Sequence, residues 1–203
     1  MKIIILPGDG IGPETMPVAV EALQTVSARF GFPLTLEHDI AGHDSLARHG
    51  VTVTPDLLQK VRDADGLMLG PMATYDFKDE SKGEINPSKF FRKQFDLFAN
   101  IRPARTFPGI PTITRPFDLV VVRENTEGFY ADRNMFTGSG EFMPTPEVAL
   151  AVRKITAPAA RRIARVAFEI AERRAKRITM VGKRHVLMLT DGLFMGEAEK
   201  EAA

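Results

Sequence analysis

The feature that constrains the fold most is a junction near the start of the chain. Ile3–Leu6 is an unbroken apolar run, and Pro7-Gly8-Asp9-Gly10-Ile11-Gly12-Pro13-Glu14 follows it directly. A short run without alternation is the pattern of a strand buried on both faces, as in a parallel sheet. Pro13 suits the first turn of a helix, and Val18, Val20, Leu23 and Val26 supply an apolar stripe as far as Ala28. Leu34–Ile40 predicts a second strand. Thr54 before Pro55 has the form of an N-cap opening a helix to Arg62, and Gly66–Gly70 predicts a third strand. Strands joined by helices over the first 70 residues point to an α/β fold.

The pattern then changes. Residues 71–87 lapse into Gly, Lys, Asp and Glu and predict a surface loop. Phe91, Phe95 and Phe98 recur at helical steps and predict a helix over Ser88–Phe98. Pro103, Pro108, Pro111 and Pro116 punctuate the next stretch, and Phe117–Arg123 predicts a strand. Phe129–Phe142, with Asn134, Gly138 and Gly140 and no helical period, predicts a protruding hairpin. Ala157–Ala175 predicts a helix with Ile163, Val166, Ala167 and Ile170 on one side and a solvated basic face elsewhere. Ile178–Val181 predicts another strand, and Thr190-Asp191-Gly192 a turn or helix start. A boundary is expected near residues 98–104.

Composition narrows the function classes. Lys and Arg number 27 against 26 Asp and Glu, so bulk charge gives no attraction to a nucleic-acid backbone. Acid predominates before residue 100 and base after it, which places anion ligands near or beyond the midpoint. The absence of cysteine excludes disulfides, thiolate catalysis and Cys-based zinc sites, and suits a reducing cytosol. The apolar runs are strand-sized, too short for a signal-peptide core or a membrane span. The expectation is a cytoplasmic protein with no membrane and no nucleic-acid partner.

The glycine loop lets the backbone turn tightly at a helix N-terminus. It lacks the spacing of the dinucleotide fingerprint and has no Walker lysine. Asp9 and Glu14 would oppose a phosphate set directly on it, so a structural turn and a ligand-facing role both stay open. Arg92, Arg102 and Arg123 lie beside apolar elements, and guanidinium groups suit carboxylates through paired hydrogen bonds. Arg123 ends a predicted strand, where open sheets place ligands. Tyr130 and Lys183 are candidates for proton transfer: a neutral amine accepts a proton and a phenol returns one. His38, His43 and His49 form no metal spacing and are assigned to surface or packing.

Four stretches together carry a resemblance: GDGIGPE (8–14), FRKQFDLFANIRP (91–103), DLVVVRENTEGFY (118–130) and GKRHVLMLTDGLF (182–194). In order and separation the chain resembles the isocitrate/isopropylmalate dehydrogenases, metal-dependent β-decarboxylating enzymes. The resemblance implies a two-domain isopropylmalate dehydrogenase-like fold with a mixed sheet, present as its N-terminal and central part. Residues 1–99 would be the N-terminal half of a discontinuous α/β domain, and 100–203 an incomplete central substrate and dimerisation domain.

The resemblance also implies NAD, or NADP, with Mg²⁺ or Mn²⁺, and oxidation then decarboxylation of a 2-hydroxy dicarboxylate. Arg92, Arg102 and Arg123 would bind substrate carboxylates, Lys183 would take the hydroxyl proton and Tyr130 would protonate the enol carbon. Ile11 and Thr74 would lie near the cofactor. Metal-binding aspartates are expected downstream of this chain, and Asp191 is assigned to an Asp-Gly turn. Phe90 and Phe91 before Arg92 favour an apolar substituent, as in 3-isopropylmalate, or pack the helix; D-malate, tartrate and isocitrate are the alternatives. His185 and Met188 stand where the family commonly has asparagine and lysine. A non-catalytic homologue pairing with a complete chain is the competing reading, and a phosphate- or nucleotide-binding domain a third. The likeness implies a homodimer, with Phe129–Phe142 as the arm.

Overall fold

The computed structural model describes residues 1–129, 135 and 140–202. These form two compact units, Met1–Phe91 and Arg92–Ala203.

In the first unit β1 (Lys2–Leu6) leads through the glycine loop to α1 (Gly12–Phe30), then β2 (Thr35–His38), α2 (His43–His49), α3 (Pro55–Arg62) and β3 (Gly66–Leu69). The strands form a parallel sheet in the order β2-β1-β3, with Ile4 beside Glu37 on one side and Leu67 on the other. The central strand is the most buried: Ile4, Ile5 and Leu6 have no exposed surface. Met16 and Val20 of α1 pack on Ile5, with Ile3, Leu36 and Met68 around them. The buried face of α1 is therefore Gly12, Met16 and Val20, at four-residue steps. Val18 and Val26 from the expected stripe are exposed instead. Two residues beyond Met16, Val18 is turned about 200° around the axis.

The capping signals hold. Thr54 accepts a hydrogen bond from the Leu57 N–H at 3.1 Å and Pro55 opens α3. Gly31, at φ +68°, ends α1 by donating its N–H to the Ser27 carbonyl. The short helix α2 was not expected; it starts after Gly42 and ends at Gly50, both at positive φ. The 71–87 stretch is mainly loop, with a single 3₁₀ turn at Glu80–Lys82.

A helix, α4 (Pro87–Gln94), runs across the division between the units. It stops earlier than the Phe spacing predicts because Asp96 takes up φ +44° and the Leu97 N–H bonds to the Arg92 carbonyl. Phe91 is buried and meets Phe90 edge-on, with centroids 5.6 Å apart. That contact assigns Phe91 to packing.

The second unit pairs β4 (Ala99–Arg105) with β5 (Asp118–Glu124), antiparallel, and β6 (Glu141–Thr145) with β7 (Val148–Ala151). β4 was hidden by Pro103, which pairs with Val120 in a ribbon where β4 has one neighbour; an edge strand tolerates the missing N–H. The expected hairpin at 129–142 falls largely outside the described residues. Helix α5 (Ala157–Glu172) is capped by Thr156 and packs on β5 and on α6 (Thr190–Glu201). Its basic side is largely exposed, as expected, and is ion-paired as well. Arg161 pairs with Glu197 at 2.5 Å and Arg165 with Glu201 at 3.1 Å, tying α5 to α6. Arg174 pairs with Asp118 at 2.5 Å and Arg162 with Asp96 at 2.6 Å.

Ile178–Val181 is not a strand. A strand needs a neighbour to pair its N–H and C=O groups, and among the described residues this stretch has none; Val181 is 88% exposed.

The glycine at 70 is a strong test of the first unit. A Cβ there would lie 1.9 Å from the Pro7 carbonyl oxygen, whereas one at Gly66 would meet nothing within 4 Å. Gly70→Ala should lower unfolding free energy by about 3 kcal/mol, the upper end of overpacking costs, or prevent folding. Gly66→Ala should change it by less than about 1 kcal/mol. Denaturant melts of the two variants make the comparison.

Candidate functional site

The glycine loop of the first unit is organised by Asp9. Its carboxylate accepts the His43 N–H at 2.8 Å through Oδ1 and the Ala73 N–H at 2.9 Å through Oδ2. Its own N–H donates to the Pro71 carbonyl at 2.7 Å. Asp9 is 8% exposed, so the carboxylate faces inward and ties the loops after β1 and β3 to the start of α2. The sequence objection to an anion at this loop loses its Asp9 part; Glu14 remains exposed.

Gly8, Gly12 and Gly70 are explained by backbone packing: a Cβ on each would meet a carbonyl oxygen of Pro7 or Pro71 within about 2.1 Å. Gly10 differs, at φ +57° with open space around it. Beside it Ile11 is 58% exposed, an unusual setting for a branched apolar residue near a polar turn. Thr74 is exposed and adjoins Ala73, so Ile11 and Thr74 flank the two loops that Asp9 joins. Both residues lie after the C-terminal ends of parallel strands, where open α/β sheets place ligands. A cavity of about 360 Å³ borders the same loop, between α1 and β2, with Ile5, Met16 and Val20 in its wall and His38 and Asp44 on its polar side. His43 stacks near Phe77, centroids 4.9 Å apart, and meets Asp76 at 3.0 Å, as a packing histidine would.

The arginines belong to the second unit. Asn100 faces Arg123 across the β4–β5 ladder, and Arg102 faces Val121. Residues two apart in a strand share a face, so Asn100, Arg102, Val121 and Arg123 lie on one face of the ribbon. The opposite face carries Asp118 and Glu124, which meet Arg174 and Arg162 of the α5 side. Helix α5 therefore covers the face away from Arg102 and Arg123. Arg102 and Val121 are exposed, and Asn100 Oδ1 accepts from Arg102 Nε at 3.0 Å. Fixing Nε leaves the two terminal nitrogens of the guanidinium fork for a ligand. Arg92 is half-buried on α4.

The turn after Arg123 is built from carboxylates. Glu124 accepts the N–H groups of Thr126 and Glu127 at 2.9 and 2.6 Å, and Arg162 lies 3.6 Å from it. Glu127 is buried and accepts the N–H and hydroxyl of Thr156 at 2.8 and 2.7 Å, which locks this turn to the start of α5. Tyr130 lies outside the described residues.

Lys183 is exposed, but its backbone is held: its N–H donates to Asp191 Oδ2 at 2.6 Å. Asp191 is 3% exposed, and its Oδ1 accepts from Arg153 at 2.5 Å. Asp191 thus lies in the first turn of α6, so of the two readings of Thr190-Asp191-Gly192 the helix start holds and the Asp-Gly turn does not. The structure brings Arg102 and Arg123 to one face, and it places Lys183 on a separate anchor. Asn100 and Asp191 were missed as site residues. The first was hidden with β4, because N-x-R puts both side chains on one face only once the segment is known to be a strand. The second needed the Arg153 partner, 38 residues away.

The Lys183 N–H holds the Asp191 carboxyl below the usual carboxylate range, with Arg153 acting the same way against the opposing effect of burial. A depressed pKa stabilises the fold fully above the unfolded value of about 3.9, and the gain is lost as pH falls through the folded value. Asp191→Asn should therefore lower the melting temperature at pH 7, and the difference from wild type should close below about pH 4. Thermal melts across that range check it.

Among the described residues no three His, Asp or Glu side chains gather in a way that could hold a metal ion. A full set of ligands for the divalent ion that the resemblance implies is therefore not gathered among them. No helix among them is long and apolar enough to cross a membrane.

The sequence matches the isocitrate/isopropylmalate dehydrogenase family model over residues 2–203. It is 38% identical to a 3-isopropylmalate dehydrogenase of Methanothermobacter thermautotrophicus over all of this chain and 56% of that protein. It is 34% identical to one from Sulfurisphaera tokodaii over 95% of this chain and 52% of that protein. The fold is similar to the crystal structure of isocitrate dehydrogenase from Methylococcus capsulatus, with a TM-score of 0.78 and 30% identity over 99% of this chain and 56% of that one. The chain thus spans about half the length of the relatives it matches. With the family model matched almost end to end, the chain belongs to the isocitrate/isopropylmalate dehydrogenase family.

Proposed function

We propose that this chain supplies the hydroxy-acid-binding residues and part of the nicotinamide-nucleotide surface of a β-decarboxylating dehydrogenase acting on 3-isopropylmalate. The observation that carries this reading is the open face of the β4–β5 ribbon, where Arg102, oriented by Asn100, and Arg123 stand together. Two guanidinium groups on one face match a dianion whose carboxylates are a few bonds apart. Arg92 is the third carboxylate ligand. Preference for 3-isopropylmalate rests on relatives of that name at 38% and 34% identity; Phe91, being buried, lends it nothing.

Each residue has a defined step. The arginines hold the substrate carboxylates. Lys183 Nζ takes the proton of the substrate hydroxyl as the C–H bond gives up its hydride. Ile11 and Thr74 would help hold a nicotinamide nucleotide, which would supply the hydride acceptor. After the carboxylate is lost as carbon dioxide, the Tyr130 hydroxyl returns a proton to the enol carbon. The cofactor is NAD, with NADP the alternative, and Mg²⁺ or Mn²⁺ is the accompanying ion. A homodimer is the expected assembly. The β6–β7 hairpin supports it by exposing Phe142, Met143, Val148 and Leu150 together.

Steady-state assays on the full polypeptide, with 3-isopropylmalate, D-malate, tartrate and isocitrate against NAD and NADP, test the reading. Turnover should be fastest with 3-isopropylmalate and NAD. Faster turnover of another acid reassigns the substrate, and no turnover with any of them favours a non-catalytic homologue. Arg102→Ala and Arg123→Ala should each cost about 1.5–3 kcal/mol of charged hydrogen bonding, about 10–100-fold in kcat/KM. Asn100→Ala should cost less, about 0.5–1.5 kcal/mol.

A further inference from the structure

The backbone of Lys183 is held in an unusual way. Most exposed loop N–H groups bond to water; that of Lys183 donates instead to a carboxylate at 2.6 Å. The carboxylate, Asp191, is 3% exposed although it belongs to a stretch whose neighbours Leu187, Met188 and Leu189 are all exposed. Its other oxygen is held by Arg153, which also donates to the Thr190 hydroxyl at 3.1 Å. Gly182 completes the arrangement. A Cβ at that position would lie 3.1 Å from Asp191 Oδ2 and 2.9 Å from Met195 Cε, so the close approach of the 182–183 backbone to Asp191 leaves little room for a side chain there.

Three elements thus converge on one peptide unit: Arg153 from the segment after β7, Asp191 from the first turn of α6, and the side-chain-free Gly182. A charged acceptor is about twice as strong as a neutral one, and here it is oriented by an ion pair rather than left to rotate. The Val186 and Leu187 N–H groups then bond back to the Lys183 carbonyl at 2.9 and 2.7 Å, so both ends of the residue are fixed while its side chain stays free.

We propose that Asp191, braced by Arg153, is a positioning residue that sets the Lys183 backbone so that its amine reaches the substrate hydroxyl. The inference rests on the proton-acceptor role of Lys183 proposed above. Asp191 itself acts through the Lys183 peptide and not on the substrate. Small displacements of a reacting group cost rate steeply, on the order of 10²-fold per ångström, so loosening this anchor acts on kcat more than on KM.

The experiment is a double-mutant cycle on the full polypeptide with hydrogen exchange as a second readout. Asp191→Asn should lower kcat by about 10–100-fold with KM for the hydroxy acid within about threefold, and Asp191→Glu should recover part of the loss. In a Lys183→Ala background the Asp191→Asn change should cost less than about threefold, because the residue it positions is gone. An equal loss in both backgrounds would show that Asp191 serves the fold alone and would overturn the proposal. Amide exchange at Lys183 separates the two readings if no acid is turned over. Strong protection in the wild type, lost in Asp191→Asn, keeps the anchor while the dehydrogenase reading fails; rapid exchange in the wild type removes the anchor whatever the activity.

Discussion

The structure depends on buried carboxylates that hold backbone N–H groups. Asp9 joins three segments of the first unit by taking the N–H groups of His43 and Ala73. Glu127 fixes the turn after β5 to the start of α5, and Asp191 fixes Lys183 to the start of α6. Each places an acceptor where a loop would otherwise bury an unsatisfied donor, a cost of about 1–3 kcal/mol apiece. Loops are held in this way without being filled by apolar side chains. Ile11, Thr74 and the Lys183 side chain therefore remain open beside rigid backbone.

The second constraint is strand register. Pairing of Asn100 with Arg123 puts Arg102 on the same face, and pairing of Arg105 with Asp118 turns the ion-paired face toward α5. A slip of one residue would exchange the two faces and direct Arg102 and Arg123 toward the helix. Arg162 reinforces the register from the α5 side, with its guanidinium 4.3 Å from the Phe98 ring centroid and paired to Asp96. Arg161, Arg162 and Arg165 of α5 are thus engaged in ion pairs within the second unit.

Much of this was legible in the sequence where the signal is local. The apolar run Ile3–Leu6 and the Thr54-Pro55 cap each describe a structure made by nearby residues, and each formed as expected. The family motifs fixed the candidate residues. What escaped depends on partners distant in the chain. Pro103 masked β4 because its tolerance follows from an edge position, which only the pairing with β5 creates. Ile178–Val181 has strand composition but no neighbour among the described residues to pair with. Asp191 resembled an Asp-Gly turn until Arg153 was seen beside it.

The claim that a hydroxy dicarboxylate binds the open face of the β4–β5 ribbon is tested most directly by arginine side-chain NMR. Titration with 3-isopropylmalate should shift the Nε–Hε signals of Arg102 and Arg123 together and saturably, while those of Arg161 and Arg165, engaged with Glu197 and Glu201, stay fixed. Saturable binding that leaves both Arg102 and Arg123 unmoved would contradict the account.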